Sequence, residues 1–278
     1  MVSSEAIAAA VYEAIVTAAT TLRPDVVLAL ERARVTETSP RGRAVLAQLL
    51  ENARIAATDS VPLCQDTGTV WVRIELGADE ALGGDLQAHV DAAVASAYRD
   101  RALRMSVVHD ALLDRANSGD NTPAFIEIVS RPGTGARVDV MLKGGGSDNA
   151  SVVVMLDPAA GVDGVREVVL AAVRAKGASA CPPLLVGVGV GSTFDRVGSL
   201  AKHALLRAVG SAGDERLGAL EAELLEAINA TGIGPGGLGG STTALAVHLE
   251  TASCHIAALP VAVNLGCCAV RSASVELT

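Results

Sequence analysis

The sequence predicts an α/β fold, with a mixed α+β arrangement as its near variant. Three observations carry this reading. Helical and strand periodicities alternate along the 278 residues. Half of the residues are apolar, enough to bury a sizeable core. Aromatic residues make up only 2%, so Ala, Val and Leu fill that core, and small side chains favour helices packed tightly on sheets.

The elements follow in order. Residues 4–35 read as two helices, interrupted and restarted at Pro24. Ser39-Pro40 supplies an N-cap and a first-turn proline for a helix through about Ala57. VPLCQDTG has no period and is rich in turn formers, whereas TVWVRIEL alternates as a strand. Residues 85–101 return to helical spacing, and the polar run from Arg104 to Phe125 reads as a long functional loop. FIEIV and ARVDVML are short strands flanking RPGTG; KGGGSDNAS is a loop before a helix at about 162–176. CPP leads into the buried strand LLVGVGVG, followed by helices at about 193–209 and 214–230. The loop GIGPGGLGGS precedes the strand TALAVHLE, and a last strand, LPVAVNL, runs into GCCAVR. No linker composition and no internal repeat appear, so the chain reads as one compact unit.

Bulk charge excludes some classes. The net charge is −9 with no Lys/Arg run, which argues against nucleic-acid binding. The N-terminus lacks a basic n-region and carries Glu5 and Glu13 within its apolar stretch, so it reads as an amphipathic helix and not a signal peptide. The uncharged runs 177–194 and 227–247 are interrupted by Pro and Gly, which suits neither to cross lipid. A soluble, cytoplasmic protein is expected. Its five cysteines are widely spaced, without CxxC, so disulfides are not expected and any metal site must gather ligands from distant loops.

Several segments carry chemistry. CQDTG at 64–68 places a thiol, an amide, a carboxylate and a hydroxyl in five residues; the alternative is a polar turn with an incidental Cys. KGGGS at 143–147 can turn successive N–H groups toward an anion, or can be a flexible turn. Cys181 stands on a Pro-Pro corner at the mouth of a strand, as a rigidly held thiolate or a structural Cys. GVGVG lacks the GxGxxG spacing of a nucleotide fingerprint. Neighbours on an extended chain point opposite ways, so at most one of Cys267 and Cys268 faces a shared site. GIGPGGLGGSTT is an anion cradle, a close-packing loop or a hinge. Arg104 and Arg271 are candidate carboxylate clamps. His255 has no telling neighbour, Cys254 reads as buried, and His109, Asn121 and Thr122 share the long loop without independent warrant.

Taken together and in order, CQDTG, NSGDNTPA at 117–124, KGGGSDN at 143–149, CPP with GVGVG, GIGPGGLGGSTT and LPVAV with its following Cys and Arg resemble the α part of class I, iron–sulfur-dependent fumarate hydratases and of L-tartrate dehydratase. The resemblance runs from about residue 30 to residue 275. It implies an α-type domain over 1–278, small β-sheets surrounded by helices, with a helical segment of about 1–58 packed on it. It implies a [4Fe–4S] cluster on Cys64, Cys181 and Cys267, with Cys268 as the alternative third ligand because the usual Cys-Trp-Ala here reads Cys-Cys-Ala. One iron is then left open as a Lewis acid. It implies that Asp66 and His255 belong to the catalytic group, and that Gln65, Arg104, Gly145 and Gly146 contact substrate. It also implies a separate β subunit that supplies the base, in an α2β2 assembly. The expected reaction is (S)-malate to fumarate and water; L(+)-tartrate dehydration and mesaconate hydration are the near alternatives. A non-catalytic anion-binding scaffold is the reading of another class.

Overall fold

The computed structural model describes residues 1–211 and 213–278. In chain order the elements are β1 (Val2–Ser3), α1 (Ser4–Thr20), α2 (Pro24–Thr36), α3 (Pro40–Asp59), β2 (Thr69–Gly77), β3 (Leu82–Gly83), α4 (Leu86–Asp100), β4 (Phe125–Arg131) and β5 (Ala136–Lys143). There follow α5 (Gly145–Asp148), β6 (Val152–Leu156), α6 (Gly161–Lys176), β7 (Leu184–Ser192), α7 (Val197–Ala204), α8 (Glu215–Asn229), β8 (Ala244–Cys254), β9 (Leu259–Gly266) and β10 (Arg271–Leu277). The α/β class is borne out. Three local expectations change. KGGGSDNAS contains the single turn α5, and β6 follows it. The helix expected over 193–209 is confined to Val197–Ala204. LPVAVNL is not the last strand, because β10 comes after it.

The expected single compact unit resolves into two, each discontinuous in sequence. Unit 1 comprises Met1–Arg23, Ala53–Gly145 and Val270–Thr278; unit 2 comprises Pro24–Asn52 and Gly146–Ala269. One boundary falls inside α3, so no linker composition marks it. The helical segment of about 1–58 is likewise shared out between the two units.

Unit 1 holds the sheet β10-β5-β2-β4, in which β2 pairs β4 parallel and β5 antiparallel. Alternation puts Val70, Val72 and Ile74 on one face with Val138, Val140 and Leu142, and α1 and α4 cover that face with Ile7, Val11, Ile15, Val90, Val94 and Tyr98. Ser4–Thr36 is long and apolar enough to cross a membrane by composition alone. In the fold it is two helices, and α1 buries its apolar face in this core.

Unit 2 holds the sheet β6-β9-β7-β8, with β7 parallel to β8 and antiparallel to β9. On one face α6 and α8 bury Val165, Val169, Val173, Leu224 and Ile228. On the other lies α7. A Cβ at Gly187 would stand 2.1 Å from the Ala201 carbonyl oxygen, and one at Gly189 2.7 Å from that of Val197. GVGVG is therefore a close-approach surface for α7.

GIGPGGLGGSTT also resolves. Its end is an anion cradle, and the anion is the chain's own Glu37. The Glu37 carboxylate is buried and accepts from the N–H groups of Ser39 (2.8 Å), Ser241 (2.8 Å) and Thr242 (2.8 Å) and from the Ser241 hydroxyl (3.1 Å). Burial alone would push its carboxyl up; the donors of Ser39, Ser241 and Thr242 outweigh it and hold it down to about 2.

The sign of the linkage follows. A carboxyl whose pKa is depressed on folding stabilises the fold fully above its unfolded value of 4.5, and that contribution is lost as pH falls toward about 2. Glu37→Gln should cost about 2–4 kcal/mol at neutral pH, because charged hydrogen bonds are replaced by weaker or unmade ones. Denaturant unfolding at pH 7 and pH 3 checks this: the gap between wild type and variant should narrow at the lower pH.

Candidate active site

The loop carrying CQDTG starts where the Leu63 N–H donates to the Ala19 carbonyl at 2.8 Å. Cys64 is half-buried and Gln65 is exposed. Asp66 is the hub. Its Oδ1 accepts from Arg104 Nη2 at 3.1 Å, and its Oδ2 accepts from the Gly145 N–H at 2.9 Å. Its main-chain carbonyl accepts from Arg271 Nη1. The carbonyls of Thr67 and Gly68 each lie 3.0 Å from the buried Tyr98 hydroxyl, and Thr67 Oγ1 donates to the Arg104 carbonyl. Burial pushes the Tyr98 phenol up, so it stays a neutral donor.

Glycine is required where the two loops meet. Gly68 has φ +81°, and a Cβ there would lie 2.6 Å from the Lys143 carbonyl oxygen. A Cβ at Gly144 would lie 3.0 Å from Asp66 Oδ2. The KGGGS turn therefore serves an anion, as its sequence allows, and that anion is the Asp66 carboxylate.

The long polar loop is tied to the same place by a residue to which sequence gave no warrant. Asn121 is buried at φ +64°, accepts from the Ser106 N–H at 2.6 Å and donates to the Gly68 carbonyl at 3.2 Å. The available signal was that Asn tolerates left-handed backbone and bonds main chain on both sides. The Thr122 N–H and hydroxyl both donate to Asp120 Oδ1, and His109 is exposed.

In unit 2, Cys181 and the 267–268 pair are brought together. The Cys268 N–H donates to the Cys181 carbonyl at 3.0 Å, and the Gly236 N–H to that of Pro182 at 2.8 Å. Cys181 is exposed and left-handed, with φ 57° and ψ 67°. A non-glycine residue keeps that conformation only where its surroundings impose it. Cys267 and Cys268 are both half-buried, and Gly146 is exposed.

His255 is not brought to this corner. β7 and β8 run parallel, with Leu184 opposite Ala244 and Ser192 opposite Cys254. Cys181 precedes the first pair and His255 follows the last, so the length of β8 separates them, about 30 Å at the rise of a strand. His255 is exposed, its Nδ1 accepting from the Ala257 N–H at 3.1 Å. Cys254 is exposed as well, contrary to its reading as buried, because β8 has run beyond the core there.

Among the described residues no disulfide forms, and no three His, Cys, Asp or Glu side chains are gathered around a single-ion site. Cys64 lies in unit 1 and the other thiols in unit 2. The thiols are exposed or half-buried, and Cys181 is held on constrained backbone; soft thiolates are the kind of ligand an iron–sulfur cluster takes.

Comparison with known proteins adds context. The family model described as fumarate hydratase (Fumerase) matches residues 8–276. A Methanocaldococcus jannaschii protein named "Putative L(+)-tartrate dehydratase subunit alpha" is 39% identical over 263 residues, covering 92% of each chain. The Escherichia coli K12 protein named L(+)-tartrate dehydratase subunit alpha is 33% identical over 257 residues, covering 91% of this chain and 84% of its own. The protein of that name from Escherichia coli UTI89 is 32% identical over 263 residues, covering 93% and 86%.

The two glycines predict different outcomes. Gly68→Ala forces left-handed backbone and a clash with main chain, and should cost about 3 kcal/mol in denaturant unfolding. Gly144→Ala meets only side-chain atoms, those of Asp66 and Arg271, and should cost about 1 kcal/mol while breaking the Asp66 bond to the Gly145 N–H. A crystal structure of the second variant would show the displaced carboxylate; equal costs for the two would contradict the assignment.

Proposed function

The chain belongs to the fumarate hydratase family, and from that premise we propose that it is the α subunit of a [4Fe–4S]-dependent hydro-lyase acting on a small hydroxy-dicarboxylate. The observation that carries the proposal is the convergence of Arg104, the Gly145 N–H and Arg271 on Asp66, two residues after Cys64. Cys64, Cys181 and Cys267 would hold the cluster, with Cys268 as the alternative to Cys267. When bound, the cluster would supply an open Lewis-acidic iron for the substrate's hydroxyl.

The chain's own groups then bind and orient. Asp66 fixes one arm of Arg104, whose side chain is 57% exposed and keeps donors for a substrate carboxylate. Gln65, Gly145 and Gly146 are exposed, and the Gln65 side-chain amide and the Gly146 N–H are the donors offered, since the Gly145 N–H is held by Asp66. A separate β subunit supplies the proton-transferring base and completes an α2β2 enzyme. Thiol ligands suit a reducing compartment, so we place the enzyme in the cytoplasm.

The family description supports (S)-malate and fumarate as the substrate pair. The relatives' names favour L(+)-tartrate, which differs by one hydroxyl and would be discriminated by polar partners for that group. Mesaconate hydration is the third candidate. His255, as a substrate contact, has to be delivered from a second copy of the chain, because β8 holds it away from its own cysteine corner.

Two experiments test this. Anaerobic reconstitution with iron, sulfide and the β subunit should yield cluster absorbance and hydro-lyase activity on malate, tartrate or citramalate. Cys64→Ser should lower that activity by about 10²-fold or more. No absorbance, with Cys64→Ser indistinguishable from wild type, leaves the anion-binding scaffold. The second mixes chains carrying Cys181→Ser with chains carrying His255→Ala. Each is inactive alone, and the mixed assembly should recover about a quarter of wild-type activity, since half of random dimers are mixed and each has one intact site. No recovery would place His255 outside the site.

A further inference from the structure

The strand that closes the chain carries a guanidinium that the reading above leaves without a chemical task. Arg271 opens β10 and is 3% exposed. Such a group has little surface to offer a substrate carboxylate, so the clamp suggested by sequence does not describe it. Its hydrogen-bonded partner is the main-chain carbonyl of Asp66. Nη2 and the Asp66 carboxylate approach Gly144 together: a Cβ built there would lie 3.2 Å from Nη2 and 3.0 Å from Oδ2. Among the described residues its Nε has no partner. A cation buried with one carbonyl and an unmet N–H is a costly way to stabilise a fold.

The position of that carbonyl gives the arrangement a purpose. Asp66, Thr67 and Gly68 present three successive carbonyls, and each is taken by a buried donor: Arg271 for the first, Tyr98 for the second and third, Asn121 for the third. Only the first is held by a charged donor. The peptide plane between Asp66 and Thr67 is rigid, so fixing its carbonyl fixes the backbone torsion that aims the Asp66 side chain. That side chain then reaches Arg104 and the Gly145 N–H.

We propose that Arg271 is a positioning residue for Asp66: it holds the main chain so that the carboxylate stays between Arg104 and the Gly145 N–H. The catalytic consequence rests on the reading of Asp66 as an active-site group; the positioning itself does not.

The test uses Arg271→Met and Arg271→Lys in the full chain, alone and assembled with the β subunit. Amide hydrogen exchange needs no activity. In Arg271→Met, the Gly145 amide should exchange at least about tenfold faster, while β5 amides from Val138 to Leu142 keep their protection. Arg271→Lys, which keeps a cationic donor, should restore part of that protection. In the assembled enzyme, kcat per bound cluster should fall about tenfold or more in the Met variant, with KM changed less than about threefold. Unchanged Gly145 exchange in a folded Arg271→Met chain would overturn the proposal. So would an activity loss that merely tracks unfolded or cluster-free protein. A wild-type complex without hydro-lyase activity would sink the functional reading, yet the exchange experiment would still decide whether Arg271 positions Asp66.

Discussion

Glycine-rich turns leave main-chain N–H groups that need acceptors, and here two side-chain carboxylates provide them. Glu37 takes the N–H groups of Ser241 and Thr242, so the 232–243 loop gains a fixed end. Asp66 takes the N–H of Gly145, so the KGGGS turn is locked to the CQDTG loop. In both places glycine is needed because the acceptor comes so close: a Cβ at Gly240 would lie 2.7 Å from Glu37 Oε1, and one at Gly144 3.0 Å from Asp66 Oδ2. The same physical solution thus serves a structural corner and the candidate site. The difference is access. Glu37 is sealed, whereas Asp66 hands its second oxygen to a half-exposed arginine.

Much of this was legible in the sequence. Pro24 and Ser39-Pro40 punctuate helices by chemistry that acts locally, and the structure starts α2 and α3 there. β6 was missed because VVVML has no alternation and is only five residues long. β10 was missed because RSASVEL places small polar residues where a bulky apolar signal is expected. It forms because β5 offers a continuous partner from Ala136 to Leu142. The two-unit division was illegible for a related reason. The chain passes between units inside α3, within the single turn α5 and in two short loops, where composition does not change.

Residue roles were less legible than motifs. CQDTG announces itself by density of polar groups, yet the residues that shape it come from far away in sequence: Tyr98, Arg104, Asn121, Gly145 and Arg271. Nothing local in DNTP marks Asn121 as buried, because its burial depends on finding the Gly68 carbonyl. Arg271 is readable as an arginine near a cysteine pair, but a surface clamp and a buried main-chain anchor look the same in one dimension. His255 shows the reverse limit. Resemblance transfers a residue to a position, and only the register of β7 and β8 reveals that this position is a strand's length from Cys181.

The electrostatics of unit 1 argue for a covered site in the working enzyme. Arg104, Gln65 and Gly145 face solvent, and a charged pair in water is worth little, because high dielectric and mobile ions screen it. A dicarboxylate bound to such a surface would be held weakly and would exchange freely. Discrimination by a single hydroxyl requires polar partners that lose water when the substrate enters. The Asp66 network supplies the rigid half of that requirement, since its backbone and carboxylate are fixed before any ligand arrives. On the proposed function, the desolvating half would come from a surface laid over Arg104, which would give a separate β subunit a part in specificity as well as in catalysis.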